Sequence, residues 1–161
     1  MTLNSNQKED MMQLILNSET AQIVDDLRND IRLEMALNPD LIKPAEPYVD
    51  VMEKLLHKHG KSMDSGTRQV IGEAVAEGII TRNKLTQFSG LGVSSAKNLD
   101  VGKMAANWYI KYIHEALEKH SNDVFPDEKG ENQPFKDALR SEFAKLYVSG
   151  VGEQILPEGR A

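Results

Sequence analysis

The chain has 161 residues, 40% of them hydrophobic and 27% charged, and a formal net charge of −6. This length suits one domain with a stable core, and the composition is that of an ordinary globular protein whose apolar runs are too short to span a membrane. The absence of cysteine excludes disulfides, thiolate catalysis and thiolate metal sites.

The N-terminal third predicts two helices. A first helix lies within residues 6–16, where apolar side chains are dense. A second runs from Glu19 to about Leu37. Its apolar side chains recur at a spacing of four, at Ile23, Leu27, Ile31 and Met35, with Val24 on the same side.

A proline-containing segment follows. The two prolines of "LIKPAEPY", residues 41–48, predict an extended connector. A third helix then begins near Tyr48 and is closed by Gly60, since glycine commonly follows a helix C-terminus.

The middle of the chain predicts four helices separated by glycines. Asp64 can cap a fourth helix that ends at Gly78, and Thr81 can cap a short one that ends near Phe88. After a glycine turn, a further short helix spans about 93–99. Asp100 can then cap a long helix that ends near Lys119, with Met104, Trp108, Ile113 and Leu117 on its apolar side.

The C-terminal part is a polar loop followed by a last helix that begins near Pro134, with Phe135, Leu139, Phe143 and Leu146 on one side. No segment alternates with period two. We therefore predict a single all-α domain over residues 1–161, a compact bundle of about six to eight helices with a short helical pair in the middle. Residues 1–4 and 150–161 are expected to be irregular tails.

Charge is distributed unevenly along the chain. Residues 1–40 carry eight acids and three bases, a net of −5, and residues 123–161 carry eight acids and five bases, a net of −3. Residues 41–122 carry nine acids and eleven bases, a net of +2, so only the middle favours contact with phosphates. A local charge of +3 comes from Arg82, Lys84, Lys97 and Lys103 together with Asp100.

The glycine turn lies in this basic middle. Residues 81–99 read "TRNKLTQFSGLGVSSAKNL", with Gly90 and Gly92 on either side of Leu91. The segment resembles the helix-hairpin-helix motif of non-specific DNA-binding proteins, and the matching positions are Leu85, Phe88, Gly90, Leu91, Gly92, Ala96 and Leu99. The resemblance is local and implies contact with DNA that is independent of base sequence. Val93 and Ser94 replace the proline or base that the family often carries there.

The turn has a physical rationale as a phosphate site. Two glycines permit positive φ and leave backbone N–H groups accessible, and the start of the next helix adds N–H groups and a dipole. Such contacts reach the nucleic-acid backbone rather than base edges. The predicted nucleic-acid-binding residues are Lys84, Gly90, Leu91, Gly92, Val93, Ser94, Ser95, Lys97 and Lys103.

Two alternatives for the turn remain open. It also fits a structural corner between packed helices. It further resembles the winged-helix type of helix-turn-helix regulator, in which Ser94, Ser95 and Lys97 would face the major groove. The similar stretch "VSGVGEQIL" at 148–156 fits a glycine-rich helix end better than a second hairpin, because Pro157 stops any following helix.

Other candidate sites favour structural roles. The four histidines lack metal-ligand spacing, and the acidic line Asp26, Asp30 and Glu34, interleaved with Arg28 and Arg32, is typical of a solvated helix face. The aromatic residues Trp108, Tyr109, Tyr112 and Tyr147 could stack on bases, but the position of Trp108 favours core packing.

No residues that could carry a reaction are recognised. The chain lacks a Walker loop, His-Glu-x-x-His and Gly-x-Ser-x-Gly, so neither an enzyme, a cofactor nor a metal site is predicted. The first functional hypothesis is a non-enzymatic protein that binds nucleic acid through the turn, independently of base sequence. The alternative is a helical assembly protein of a virus particle or larger complex that packs on copies of itself, and a transcription regulator is the third. We expect a cytoplasmic location, or a virion if the protein is viral.

Overall fold

The structure is a computed structural model that describes residues 21–89, 99–120 and 132–151. These residues form five α-helices and one 3₁₀ helix and contain no strand, which confirms the all-α class. The elements are α1 (Ala21–Leu37), the 3₁₀ helix (Pro39–Ala45), α2 (Glu46–Lys58), α3 (Ser65–Ser89), α4 (Leu99–His120) and α5 (Asn132–Val148). The predicted count of six to eight helices is not confirmed. The helix predicted in residues 6–16 lies outside the described residues, as do 1–4 and 152–161.

Helix α4 supplies much of the core and packs against both α3 and α5. Its side chains Tyr109, Ile113 and Leu117 are fully buried. Helix α2 joins the same core through Tyr48, whose ring centroid lies 5.5 Å from that of Tyr109 and 5.0 Å from that of Phe143 on α5. Helix α1 packs on α3 and the 3₁₀ helix, at the periphery of this arrangement.

The predicted helix end at Gly78 is wrong, since α3 continues without a break from Ser65 to Ser89. Gly78 instead lies where α3 and α4 approach closely. A Cβ atom at this position would be 3.1 Å from Cδ1 of Tyr109 and 3.6 Å from Cδ1 of Trp108. Burial of the next residues, Ile79 and Ile80, offsets the cost of glycine within a helix, which is about 1 kcal/mol.

The predicted extended connector is also wrong, because the chain there forms the 3₁₀ helix and then the first turn of α2. Asn38 caps the 3₁₀ helix, and its Oδ1 accepts a hydrogen bond from the backbone N–H of Asp40 at 3.3 Å. Pro39 and Pro47 each occupy the first turn of a helix. Proline is tolerated there because the N–H that it lacks would have had no partner within the helix.

Two helix ends are closed by glycines in the left-handed region. Gly60 has φ of 73°, and the N–H groups of Gly60 and Lys61 donate to carbonyls of the last turn of α2, which confirms its predicted role. Gly150 has φ of 90° and closes α5 in the same way, with Val151 N donating to Leu146 O at 3.0 Å. The first residues of the predicted C-terminal tail therefore belong to a helix cap.

The buried side of α1 differs from the predicted apolar line, which ran from Ile23 to Met35 at every fourth residue. Ile23 is 56% exposed, whereas Val24, Ile31 and Met35 are buried. A spacing of four advances about 40° per step around a helix with 3.6 residues per turn, so a line from Ile23 to Met35 leaves one face. The true buried line passes through Arg28, which brings a cation to the inside of the fold.

Candidate functional site

Helices α3 and α4 precede and follow the predicted glycine turn in the chain, but the turn itself lies outside the described residues. Gly90, Leu91, Gly92, Val93, Ser94, Ser95 and Lys97 all lie in the undescribed range 90–98. Helix α3 ends at Ser89 and α4 begins at Leu99, whose side chain is 49% exposed. Arg82 lies beside Trp108, whereas Glu73 and Lys119 line one groove farther along, so α3 and α4 run antiparallel and the end of α3 lies near the start of α4. The identity of the turn as a hairpin stays a prediction.

Two of the predicted site residues, Lys84 and Lys103, lie within described helices, at similar distances along the helix axes from the ends next to the turn. Lys84 precedes the end of α3 by five residues, about 8 Å along the helix axis, and Lys103 follows the start of α4 by four residues, about 6 Å. Lys84 is half-buried and Lys103 is exposed. Both therefore lie near the end of the helix pair that carries the turn.

Arg82 does not contribute to the exposed charge that the sequence predicts near the turn. Its side chain is only 4% exposed, and its Cζ lies 6.0 Å from the ring centroid of Trp108. Within the described part of the chain, Nε of Arg82 and Nε1 of Trp108 are buried without a hydrogen-bond partner. The solvent-facing positive charge beside the turn is therefore smaller than the residue count predicts.

The aromatic residues considered for base stacking belong to the core. Trp108 is 8% exposed, and Tyr109, Tyr112 and Tyr147 are at most 5% exposed. The rings of Trp108 and Tyr112 stack on each other with centroids 5.9 Å apart. The interpretation as core packing is confirmed for this cluster.

A network of charged side chains joins α1 to α3 and α4. Arg28 Nε donates to Glu77 Oε2, and Arg28 Nη2 donates to Glu115 Oε1 at 2.9 Å. Arg32 Nε donates to Glu77 Oε1 at 3.0 Å. Glu77, whose side chain is 8% exposed, therefore binds an arginine with each carboxylate oxygen. The prediction of a solvated face is wrong for Arg28, whose side chain is 17% exposed. It is confirmed for Asp26 and Asp30, which are exposed, and for Arg32, which is 47% exposed although it contacts Glu77.

The ring of Tyr112 completes this network, with the Arg28 guanidinium 3.9 Å from its centroid. Burial by itself lowers the pKa of Arg28, but Tyr112, Glu77 and Glu115 outweigh that effect and raise it above its ordinary value. Burial also raises the pKa of Tyr112 to about 12, although the nearby Arg28 charge opposes the shift. The arginine is therefore permanently cationic and the phenol is neutral at physiological pH.

The network lines an open groove of about 470 Å³ between α1, α3 and α4. Lys119 and His120 of α4 also line it, as does Glu73 of α3. Because Glu77 and Glu115 together neutralise Arg28 and Arg32, these groups have the character of a structural ion network rather than of a catalytic acid and base. The network therefore links α1 to α3 and α4.

The sequence contains a pattern that indicates this network, and the predicted apolar line through Ile23, Leu27, Ile31 and Met35 did not take it into account. Arg28 falls between Val24 and Ile31 on the buried line of α1, and Glu77 interrupts the apolar run from Ile71 to Ile80. An arginine and a glutamate, each on a buried helix face, are a candidate pair because buried charges require partners. Which helices meet cannot be read from either segment alone.

The histidines differ in their surroundings. His57, His59 and His120 are exposed, whereas His114 is half-buried and its Nε2 lies 3.1 Å from Nζ of Lys136. Burial and then the Lys136 charge lower the pKa of His114. Across the described ranges, no group of three or more His, Cys, Asp or Glu side chains is placed to hold a metal ion. No helix in those ranges is both long and apolar enough to cross a membrane.

No protein-family model matches the chain, no curated protein matches it, and no solved structure matches it.

Proposed function

We propose that this chain is a non-enzymatic nucleic-acid-binding protein that contacts phosphates through the glycine turn without strong dependence on base sequence. The observation that carries the proposal is the antiparallel packing of α3 and α4, in which the end of α3 lies near the start of α4. Lys84 and Lys103 flank the turn from the two helices at similar heights. Two packed helices with lysines near the turn that joins them suit the electrostatic contact with the phosphates of a nucleic-acid backbone.

The expected contacts come from the turn and from a few lysines. Backbone N–H groups beside Gly90 and Gly92 would donate to a phosphate oxygen, and Lys84, Lys97 and Lys103 would add charge. Asp100 in the first turn of α4 opposes an anion at that helix start. The contact between backbone N–H groups and the phosphate is therefore expected upstream of Asp100, within residues 90–97.

Fluorescence anisotropy with a labelled generic duplex and a single strand, in a series of salt concentrations, tests the proposal. Three lysine contacts predict a slope of log affinity against log salt of about −3. Gly92→Glu should weaken binding by about tenfold or more, because the added side chain places a carboxylate at the phosphate position. Lys84→Gln or Lys103→Gln should each reduce the slope by about 1.

Lys111→Gln is the matched control. Lys111 is an exposed lysine on α4, about 12 Å farther than Lys103 from the turn. Its removal changes the net charge equally and should leave the affinity nearly unchanged. Absence of binding at low salt, or binding that Gly92→Glu leaves intact, would refute the proposal. Strong discrimination between duplex sequences would instead support the helix-turn-helix hypothesis.

A second candidate function is assembly, with copies of itself or within a multiprotein complex. The observation that favours it is a group of large apolar side chains on the outside of α1, where Ile23, Leu33 and Leu37 are 56%, 64% and 86% exposed. Exposed apolar side chains that cluster on one face mark interaction surfaces. Sedimentation at increasing concentration, with Leu33→Ser for comparison, distinguishes self-association through this face from a monomer.

A further inference from the structure

The outer face of α1 combines apolar and acidic side chains. It consists of Ile23, Asp26, Asp30, Leu33 and Leu37, of which every member is exposed. At 100° per residue the five side chains fall within an arc of about 80°, and they extend about 21 Å along the helix. Their spacings of three and four residues are those of the contact seam of a paired helix.

This outer face is separate from the side by which α1 packs on the fold. Val24, Ile31 and Met35 are buried on the opposite side of the helix. The two arginines of α1 donate to Glu77, and so they do not neutralise the outer acids. Asp25 is exposed as well, which leaves the outward charge of α1 negative.

The acids argue against a second copy as the occupant. In a pairing of two α1 outer faces, parallel or antiparallel, Asp26 and Asp30 would be enclosed by the copy's carboxylates or leucines. None of the five positions holds a base. Carboxylates without a cation in a desolvated seam are strongly unfavourable. Nucleic acid and anionic lipid surfaces are disfavoured by the same negative charge.

We propose that the outer face of α1 docks a basic amphipathic helix of another protein. Such a helix would place lysines or arginines opposite Asp26 and Asp30 and apolar side chains against Ile23, Leu33 and Leu37. About four helical turns would cover the 21 Å seam. The apolar contacts supply most of the affinity, and the charge pairs select the partner and its register. This inference goes beyond the proposed nucleic-acid contact and uses none of its residues.

The probe is a synthetic amphipathic peptide of leucine and lysine, about 18 residues long, with a second peptide in which every lysine is replaced by glutamate. Isothermal titration at low salt with the full chain should show micromolar binding of the lysine peptide and none of the glutamate peptide. Leu33→Ser should weaken binding by about tenfold. The double variant Asp26→Asn, Asp30→Asn should weaken it by a similar factor and reduce its salt dependence.

Asp25→Asn is the matched control, since Asp25 is an exposed acid on the same helix but lies about 140° from Asp30 around it. It should change the affinity by less than about twofold. Equal binding of the glutamate peptide, or an equal effect of Asp25→Asn, would show that the outer face does not select a basic helix. A dimer in sedimentation that Leu33→Ser dissociates would assign the face to a second copy and overturn the proposal. Circular dichroism establishes that each variant is folded.

Discussion

At the scale of single residues, Glu77 links α3 to α1 through two ion pairs. Its carboxylate binds two arginines of α1 from a position on α3 where the side chain is 8% exposed. Ion pairs of this kind contribute little net free energy when compared with apolar packing, but loss of one partner leaves the other charge buried and unpaired. The asymmetry makes Glu77 sensitive to substitution.

We expect Glu77→Gln to lower the free energy of unfolding by roughly 2 to 4 kcal/mol, because Arg28 would lose its most buried anion. Glu115→Gln is the control. Glu115 contacts the same arginine but is 39% exposed, so its loss should cost less than about 1 kcal/mol. Urea denaturation of both variants provides the measurement, and equal losses would show that burial does not determine the cost.

Tyr112 gives a prediction for alkaline pH. Burial raises its pKa to about 12, whereas an unfolded tyrosine titrates near pH 10. The unfolded chain therefore releases this proton first, and the stabilisation present below about pH 10 is lost as pH rises toward 12. The expected loss is roughly 2 to 3 kcal/mol. Urea midpoints between pH 9 and 12 should fall less steeply in Tyr112→Phe, and an unchanged profile would contradict the assignment.

At the scale of elements, glycines determine how closely α4 approaches its neighbours. A Cβ atom on Gly102 would lie 2.9 Å from the backbone oxygen of Ala144 and 3.1 Å from Val148 on α5. Gly78 has the corresponding role between α4 and α3. The backbone oxygen cannot rotate away as a flexible side chain can, so the contact at Gly102 is the less tolerant of the two.

Gly102→Ala should therefore destabilise the protein by about 1 to 3 kcal/mol, even though alanine favours helix formation by about 1 kcal/mol relative to glycine. Gly66→Ala in the first turn of α3 is the control, because its Cβ would meet only Asp64 Oδ1 at an ordinary 3.5 Å. That variant should be neutral or slightly stabilising. Thermal denaturation distinguishes the two, and a stabilising Gly102→Ala would mean that α4 and α5 can separate at little cost.

At the scale of the whole molecule, the helices differ in how firmly they are held. Helix α4 packs on α3 and α5, whereas α1 contacts α3 and the 3₁₀ helix and keeps its outer face exposed. The charged network around Glu77 supplements a short apolar interface on α1. Local opening of α1 should therefore precede global unfolding.

Native-state hydrogen exchange should show faster exchange for amides of α1 than for those in the middle of α4. Glu77→Gln should accelerate exchange in α1 beyond its effect on α4, because the network attaches α1 in particular. The measurement is peptide-level mass spectrometry at equilibrium. Uniform protection of α1 and α4 would indicate one cooperative unit instead.

The predictions that succeeded rest on local features. The long apolar helix ending near Lys119, the last helix near Pro134 and the glycine end at Gly60 agree with the structure. The helix break at Gly78, the extended connector and the solvated position of Arg28 do not. The errors at Gly78 and Arg28 concern residues whose surroundings depend on a neighbouring helix. The error at the connector is local, because proline is also compatible with the first turn of a helix. Of the predicted site residues, Lys84 and Lys103 lie in described helices and the others lie outside the described residues, so the binding role of the site remains a prediction.

The sequence by itself determined the helical class and the helix end at Gly60, because periodic apolar side chains and a glycine with positive φ act within a few residues. Only the tertiary structure decided that Gly78 lies inside a helix and that Arg28 faces inward. At Gly78 the neighbouring helix α4 lies so close that a larger residue would collide with Tyr109. Arg28 faces inward because the buried carboxylate of Glu77 on α3 binds it. Both depend on which helices meet, which local periodicity does not specify.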